Sequence, residues 1–116
     1  MILLNLSNFD TSNVKDITGM FFFCSSLISL DLSNFDTSKL TDITTIFYGC
    51  ESLQYINLEK YNELQSLVMD DILYLVPENI IICLNKDNNI SQIMEIISEK
   101  YCYNIYCGND WKSHQK

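Results

Sequence analysis

Three cysteines and the only histidine lie in the last third of the chain, where they could form a disulfide or bind a metal ion. Cys83, Cys102 and Cys107 allow three pairings if one disulfide forms. We expect a bridge from Cys83 to Cys102 or Cys107, because it would tie the end of the chain to the segment before it. Unpaired thiols are a second interpretation. A zinc site that adds His114 is a third, but the Cys-x4-Cys spacing is wider than in most structural zinc motifs.

Nucleophilic catalysis is not predicted. His114 stands in a polar tail, and we expect no acidic neighbour that would orient its imidazole as in a Cys-His or Ser-His site. Gly19, Gly49 and Gly108 stand alone rather than in a glycine-rich phosphate loop. The sequence therefore predicts a protein that is not an enzyme and carries no cofactor.

The other candidate residues belong to a repeat of 26 residues. Residues 4–29 and 30–55 share 15 identities, and an apolar-x-apolar triplet begins at Leu4, Leu30, Ile56 and Ile82. Such triplets at a fixed period are typical of the strands of leucine-rich repeats. The predicted fold class is α/β: a right-handed leucine-rich-repeat solenoid with short parallel strands, short helices and a helical C-terminal cap.

Apolar residues between the triplets recur at helical spacing, at positions 14, 17, 20, 21 and 24 and again at 40, 43, 46, 47 and 50. We therefore expect one short helix in each repeat, with Ser12 and Ser38 as candidate caps. Asn89 is expected to cap a further helix over the end of the stack. These patterns place the repeats in residues 1–84, the third being degenerate, and the capping helix and cysteine-containing tail in 85–116.

Residues at equivalent positions of the repeats are expected to stack into one core. Cys24 and Cys50 are interpreted as buried free thiols, although neighbouring strands would bring them within the range of a disulfide. The predicted core consists of the apolar positions of the first repeats: Leu6, Phe9, Phe21, Cys24, Leu27, Leu32, Phe35, Phe47, Cys50, Leu53 and Leu58.

The middle residue of each triplet should point to the opposite side of the sheet. Asn5, Asp31, Asn57 and Cys83 would thus line an exposed strand face, where solenoid proteins commonly bind partners. Asn8 and Asn34 are further candidate contacts. Repeated acidic residues are interpreted as satisfying turns rather than as binding calcium, namely Asp10, Asp16, Asp36 and Asp42.

Charge and hydropathy exclude two classes of partner. The formal net charge of −8 argues against nucleic acid, which requires a basic surface. Apolar runs are too short for a membrane span, so no membrane insertion is expected in this chain. The first strand has no expected cover, which predicts either further repeats before it or self-association through this N-terminal edge.

The string LSNFDTSNVKDITGMFFFCSSLISLDLSNFDTSKLTDITTIFYGCESL resembles the BspA-like leucine-rich-repeat surface proteins. Asn-Phe-Asp-Thr-Ser, Asp-Ile-Thr and Cys-x-Ser-Leu occur in that order twice, over residues 4–58, and a weaker pattern reaches Leu84. The resemblance implies a cell-surface or extracellular, non-catalytic recognition or adhesion module. The uncovered first strand favours the C-terminal part of a longer array, and the strand face is where a protein or glycan partner is expected. Alternatives are an intracellular interaction adaptor and a structural cap or spacer.

Overall fold

The computed structural model describes residues 2–6, 8 and 10–115, which form a stack of parallel strands. Five strands pair in chain order, each parallel to the next. They are β1 (Ile2–Asn5), β2 (Leu27–Asp31), β3 (Tyr55–Leu58), β4 (Ile81–Leu84) and β5 (Asn104–Ile105). The predicted parallel-stranded repeat solenoid is confirmed.

The repeat period sets the register of the sheet. Leu4 pairs with Leu30, which pairs with Ile56, which pairs with Ile82. Equivalent residues of successive repeats therefore lie side by side, and alternation along each strand turns this row inward. Leu30 and Ile56 are fully buried as a result.

The segments predicted as helices within the repeats are ladders of tight turns instead. In the first segment the amides of Ile17, Gly19, Phe21 and Phe23 donate to carbonyls of the second segment at 2.7–3.2 Å. An α-helix would bond these amides within its own segment. Gly19 and Phe23 also have φ values of 65° and 57°, which a right-handed helix excludes. The helix prediction is therefore wrong.

The repeated acidic residues close turns, as interpreted from the sequence. Ser12 and Ser38 cap no helix; their amides donate to the carboxylates of Asp10 and Asp36 at 3.0 and 2.9 Å. The hydrogen bonds from Ser38, its hydroxyl first and its amide second, lower the pKa of Asp36. Asp16 and Asp42 accept the amides of the residues two positions later in the same way.

The core lies between the sheet and the turn ladders. Phe21 and Phe47 stack there with ring centroids 6.1 Å apart. Leu6 is only half-buried, but it packs against this core, whereas Phe9 lies outside the described residues. The predicted core residues that are buried are Phe21, Leu27, Leu32, Phe35, Phe47, Cys50, Leu53 and Leu58.

The prediction that Cys24 lies in the core is wrong, because its thiol is exposed. The equivalent Cys50 is buried by the preceding turn, where its thiol donates to the Phe21 carbonyl at 3.0 Å. In the described chain Cys24 belongs to the first turn and has no such neighbour. Both cysteines are free thiols as predicted, and burial raises the pKa of Cys50 to about 11.

The predicted capping helix is present as α1 (Ser91–Ile97), but its cap differs from the prediction. Ile90 occupies the N-cap position, and Asn89, one residue earlier, accepts the amide and the hydroxyl of Ser91 through its Oδ1 at 3.3 and 3.0 Å. The amides of Gln92 and Ile93 donate instead to the carboxylate of Glu63, each at 2.9 Å. Glu63 belongs to the third repeat and is only 5% exposed, so this contact fastens the cap to the stack.

Tyr61 completes the hydrogen bonding of Glu63. Its hydroxyl donates to Glu63 Oε2 at 2.6 Å. Burial, followed by this hydrogen bond to a carboxylate, raises the pKa of Tyr61 above its usual range. The buried carboxylate therefore accepts three hydrogen bonds, as a charge removed from water requires.

Candidate binding groove on the strand face

A groove of about 360 Å³ lies on the outer face of β2 and β3, beside the C-terminal tail. We call it the strand-face groove. Asp31 and Asn57 contribute to it from adjacent strands, where they are paired in register. The other lining residues are Ser29, Tyr55 and Glu59 from the repeats and Cys107, Gly108, Asn109 and Trp111 from the tail.

The structure brings only part of the predicted binding face into this groove. Asn5 is exposed on β1 and pairs in register with Asp31, outside the groove lining. Asn8 is exposed in the turn after β1. Asn34 lines a different cavity, of about 350 Å³, together with Lys60. The predicted face is therefore divided between separate surfaces.

The prediction that Cys83 lies on the exposed strand face is wrong, because Cys83 is fully buried. The tail folds over β4 and bonds to it through a Cys83–Cys107 disulfide. Of the expected bridges, the one to Cys107 is therefore formed, and Cys102 is an exposed free thiol. The zinc alternative fails for the same reason, since two of its proposed ligands are bonded to each other.

An aromatic pair holds the tail against the sheet. The ring of Trp111 lies parallel to that of Tyr55 with centroids 5.3 Å apart, and both side chains are buried. Neither Tyr55 nor Trp111 was among the predicted site or core residues. One signal was available: Tyr55 occupies the outward strand position where the preceding repeat has Ser29. A large aromatic residue at an outward position indicates that something covers it.

The groove is acidic and rich in hydrogen-bond acceptors. Two carboxylates line it, Asp31 and Glu59, and its lining contains no lysine or arginine. Burial raises the pKa of Tyr55, and these two carboxylates add to the effect, while a hydrogen bond from the Gly108 backbone opposes it. The groove thus suits a ligand that carries hydroxyl, amide or ammonium donors.

Two of the groove side chains are held in fixed orientations. Asp31 Oδ1 accepts the Ser33 amide at 2.9 Å, and Asn57 Oδ1 accepts the Glu59 amide at 3.0 Å. Neither turn uses the second oxygen of Asp31 or the amide nitrogen of Asn57. These atoms can meet a ligand at little cost in side-chain entropy, because their rotamers are already set.

Side-chain contacts within the tail stabilise it, and they show that the expectation of no acidic neighbour for His114 is wrong. Its Nε2 lies 3.6 Å from Asp110 Oδ2, and its ring stacks on Tyr106. The Tyr106 hydroxyl also donates to Asp110, and this bond lowers the pKa of that carboxyl. An acidic neighbour is therefore present, and it ties the tail into a compact loop.

Metal sites and membrane-spanning helices are both absent from the part of the chain that the structure describes. In residues 2–6, 8 and 10–115, no cluster of three or more His, Cys, Asp or Glu side chains is arranged to hold a metal ion. Over the same ranges, the chain has no helix with the length and apolar character needed to cross a membrane.

Breaking the disulfide is expected to release the tail. For a Cys83→Ser, Cys107→Ser variant we expect a loss of about 3 kcal/mol in the free energy of unfolding, because the bridge closes a loop of moderate length. Trp111 is the only tryptophan, so its fluorescence should shift to longer wavelength as it leaves Tyr55. Cys102→Ser is the control and should change neither quantity. An unshifted spectrum in the double variant would show that the tail stays seated without the bridge.

A family model described as "Mycoplasma protein of unknown function, DUF285" matches residues 2–78. The match contains β1, β2 and β3 with their turn ladders, and it ends before β4 and the tail. No curated protein and no solved structure matches the chain. Because the match spans more than half of the chain, the protein belongs to the DUF285 family, whose function is described as unknown.

Proposed function

We propose that this protein is a non-catalytic recognition module that binds a protein or glycan partner in the strand-face groove. The observation that carries the proposal is the pairing of Asp31 and Asn57 beside a wall that the tail supplies. The disulfide and the Tyr55–Trp111 stack hold this wall in place. Such a pre-formed site loses little conformational entropy on binding.

The chemistry of the lining supports this class of partner. Carboxylates and amide groups accept hydrogen bonds from sugar hydroxyls and from protein amides or ammonium groups. The same carboxylates repel phosphate groups, so they argue against nucleic acid, as does the net charge of −8. We therefore expect a neutral or cationic ligand surface.

We also propose that the module works at the cell surface. The repeats resemble BspA-like surface proteins, and a disulfide persists in an oxidising compartment. An intracellular adaptor is the second candidate, favoured by the exposed free thiols of Cys24 and Cys102. Mapping cysteine pairs in protein from its native source separates them: a Cys83–Cys107 bridge supports the surface, and five free thiols support the adaptor.

The binding proposal is tested with an Asp31→Asn, Glu59→Gln variant. These changes remove both groove charges while keeping side-chain shape and the Asp31 oxygen that closes its turn. Binding is measured to an array of immobilised glycoproteins, in native and enzymatically deglycosylated form. We expect its affinity for a glycoprotein that the unmodified protein binds to fall about thirtyfold, since the loss of about 1 kcal/mol at each of the two charged positions adds to about 2 kcal/mol.

The matched control is an Asp16→Asn, Glu51→Gln variant. It removes the same charges at exposed positions outside the groove and preserves a similar turn. Its affinity should equal that of the unmodified protein. Equal losses in the two variants would indicate an effect of net charge alone and would move the site elsewhere. Loss of binding after deglycosylation would identify the partner as a glycan.

A further inference from the structure

A column of aromatic side chains runs along one edge of the turn ladders, with one ring from each of three repeats. Its members are Phe22, Tyr48 and Tyr74, spaced 26 residues apart. Ring centroids are 5.0 Å apart between Phe22 and Tyr48 and 5.1 Å apart between Tyr48 and Tyr74. We call it the aromatic column. It shares no residue with the strand-face groove.

The column ends at Tyr74. The next position in the period is Lys100, which supplies no ring. Its ammonium is directed elsewhere, since it donates to the Val76 carbonyl at 2.7 Å and lies 4.0 Å from Glu78. Tyr74 has Tyr48 against one face, yet it remains 54% exposed.

A cavity of about 430 Å³ lies at this end of the column, between the third turn ladder and the end of the capping helix. Tyr74 forms part of its wall. The charged residues of the lining are four acids and one lysine: Asp70, Asp71, Glu78, Glu99 and Lys100. Since Lys100 already faces Glu78, the other three carboxylates give the cavity an unbalanced negative charge.

We propose that this cavity binds an arginine side chain of a basic protein segment, with the guanidinium stacked on Tyr74 as the next member of the column. A guanidinium is planar and weakly hydrated, so it stacks on aromatic rings more readily than other cations. Its fork of N–H donors matches carboxylates, which Asp71 and Glu99 provide at the cavity wall. The charge and the planar shape of the guanidinium group therefore both match the lining of the cavity.

Other ligand groups use only part of this lining. A lysine ammonium matches the charge, but it is compact, strongly hydrated and not planar. An uncharged sugar or aromatic group could stack on Tyr74, but it would leave the carboxylates without cations. The combination of a half-exposed tyrosine ring and three unbalanced carboxylates in one cavity lining selects arginine.

The test uses the full chain, labelled with nitrogen-15, and three blocked pentapeptides with Arg, Lys or citrulline between glycines. Citrulline keeps the planar shape of arginine without its charge. We expect saturable amide shifts at residues 70–75 and 96–100 with the Arg peptide, in the millimolar range for a single side chain. Binding of the Lys peptide should be at least about threefold weaker and that of the citrulline peptide about tenfold weaker, as cation stacking and charged hydrogen bonds require.

Matched variants locate the site. Tyr74→Ala should weaken the Arg peptide about fivefold, and Glu99→Gln about threefold. Tyr101→Ala and Glu95→Gln are the controls; both residues are exposed and outside the cavity lining, and neither change should alter binding. Three results would overturn the proposal: no saturable shifts at about 20 mM Arg peptide, citrulline binding equal to arginine, or unchanged binding in Tyr74→Ala. Shifts centred on Asp31 and Asn57 would also overturn it, by assigning the cation to the strand-face groove.

Discussion

Phe47→Ala is expected to lower the free energy of unfolding by about 3–5 kcal/mol, the cost of removing a buried aromatic side chain. Phe47 is 2% exposed and stacks on Phe21 with ring planes 10° apart. The empty space beside it is only about 20 Å³, so the core is tightly packed. Removing the ring would therefore leave a cavity that the neighbouring side chains cannot easily fill. In a solenoid each layer is supported by its neighbours alone, and loss of one ring therefore weakens the layers on both sides.

Urea unfolding followed by circular dichroism measures this loss. Phe22→Ala is the matched control, because Phe22 is 48% exposed and lies in the aromatic column rather than the core. We expect its loss to be about 1–2 kcal/mol, the contribution of the two aromatic pairs that Phe22 forms with Phe23 and Tyr48. Equal losses for the two variants would contradict the assignment of Phe47 to the core.

Glu63→Ala is expected to cost about 3–4 kcal/mol, although the change removes a charged residue. The Glu63 carboxylate accepts the amides of Gln92 and Ile93 and the hydroxyl of Tyr61. Alanine leaves two buried donors and one part-buried donor without their acceptor, and each buried donor without a partner costs about 1–3 kcal/mol. Removing the buried charge recovers part of this cost, because the carboxylate no longer has to be desolvated.

Two measurements check the role of Glu63. Urea unfolding gives the loss of stability, and hydrogen exchange at Gln92 and Ile93 reports whether the capping helix detaches locally. Glu63→Gln keeps one acceptor oxygen and should lose about half as much. Glu51→Ala, at an exposed position, should change stability by less than about 0.5 kcal/mol. Unchanged exchange in Glu63→Ala would show that the helix is held by its apolar face alone.

In the repeat segments the prediction was right for most of the apolar side chains, although Met20 is 42% exposed, and it was wrong for the backbone. The positions of Leu40, Ile43 and Phe47 indicated which residues face the core, and all three are buried. Their spacing also fits a helix, yet alternate amides of the first segment bond to the next repeat, starting with Ile17 to Asp42. Periodicity reports the direction of side chains, whereas these hydrogen bonds join residues 25 apart and depend on the stack as a whole.

The binding face was likewise predicted in part from the sequence pattern. Strand alternation placed Asp31 and Asn57 side by side on the outer surface, and they line the strand-face groove. It also placed Cys83 there, but the disulfide to Cys107 buries it. No pattern in the sequence links Tyr55 with Trp111 or Glu63 with the helix amides, because each contact forms only when the tail or the cap has folded back onto the stack.

The features that repeat could be predicted from the amino-acid sequence: a parallel stack, its register, the buried apolar rows and the turns that acidic side chains close. Each of these features depends on contacts between neighbouring repeats, and the same residue types make the same contacts in every repeat. The pattern of one repeat therefore predicts the structure of the next. The features that interrupt the period depend on contacts between distant parts of the folded chain. The exposure of Cys24, the choice of Cys107 over Cys102, the Glu63 cap and the open end of the aromatic column all arise where the stack meets a different segment or solvent, and there the pattern of one repeat no longer supplies the neighbours of the next.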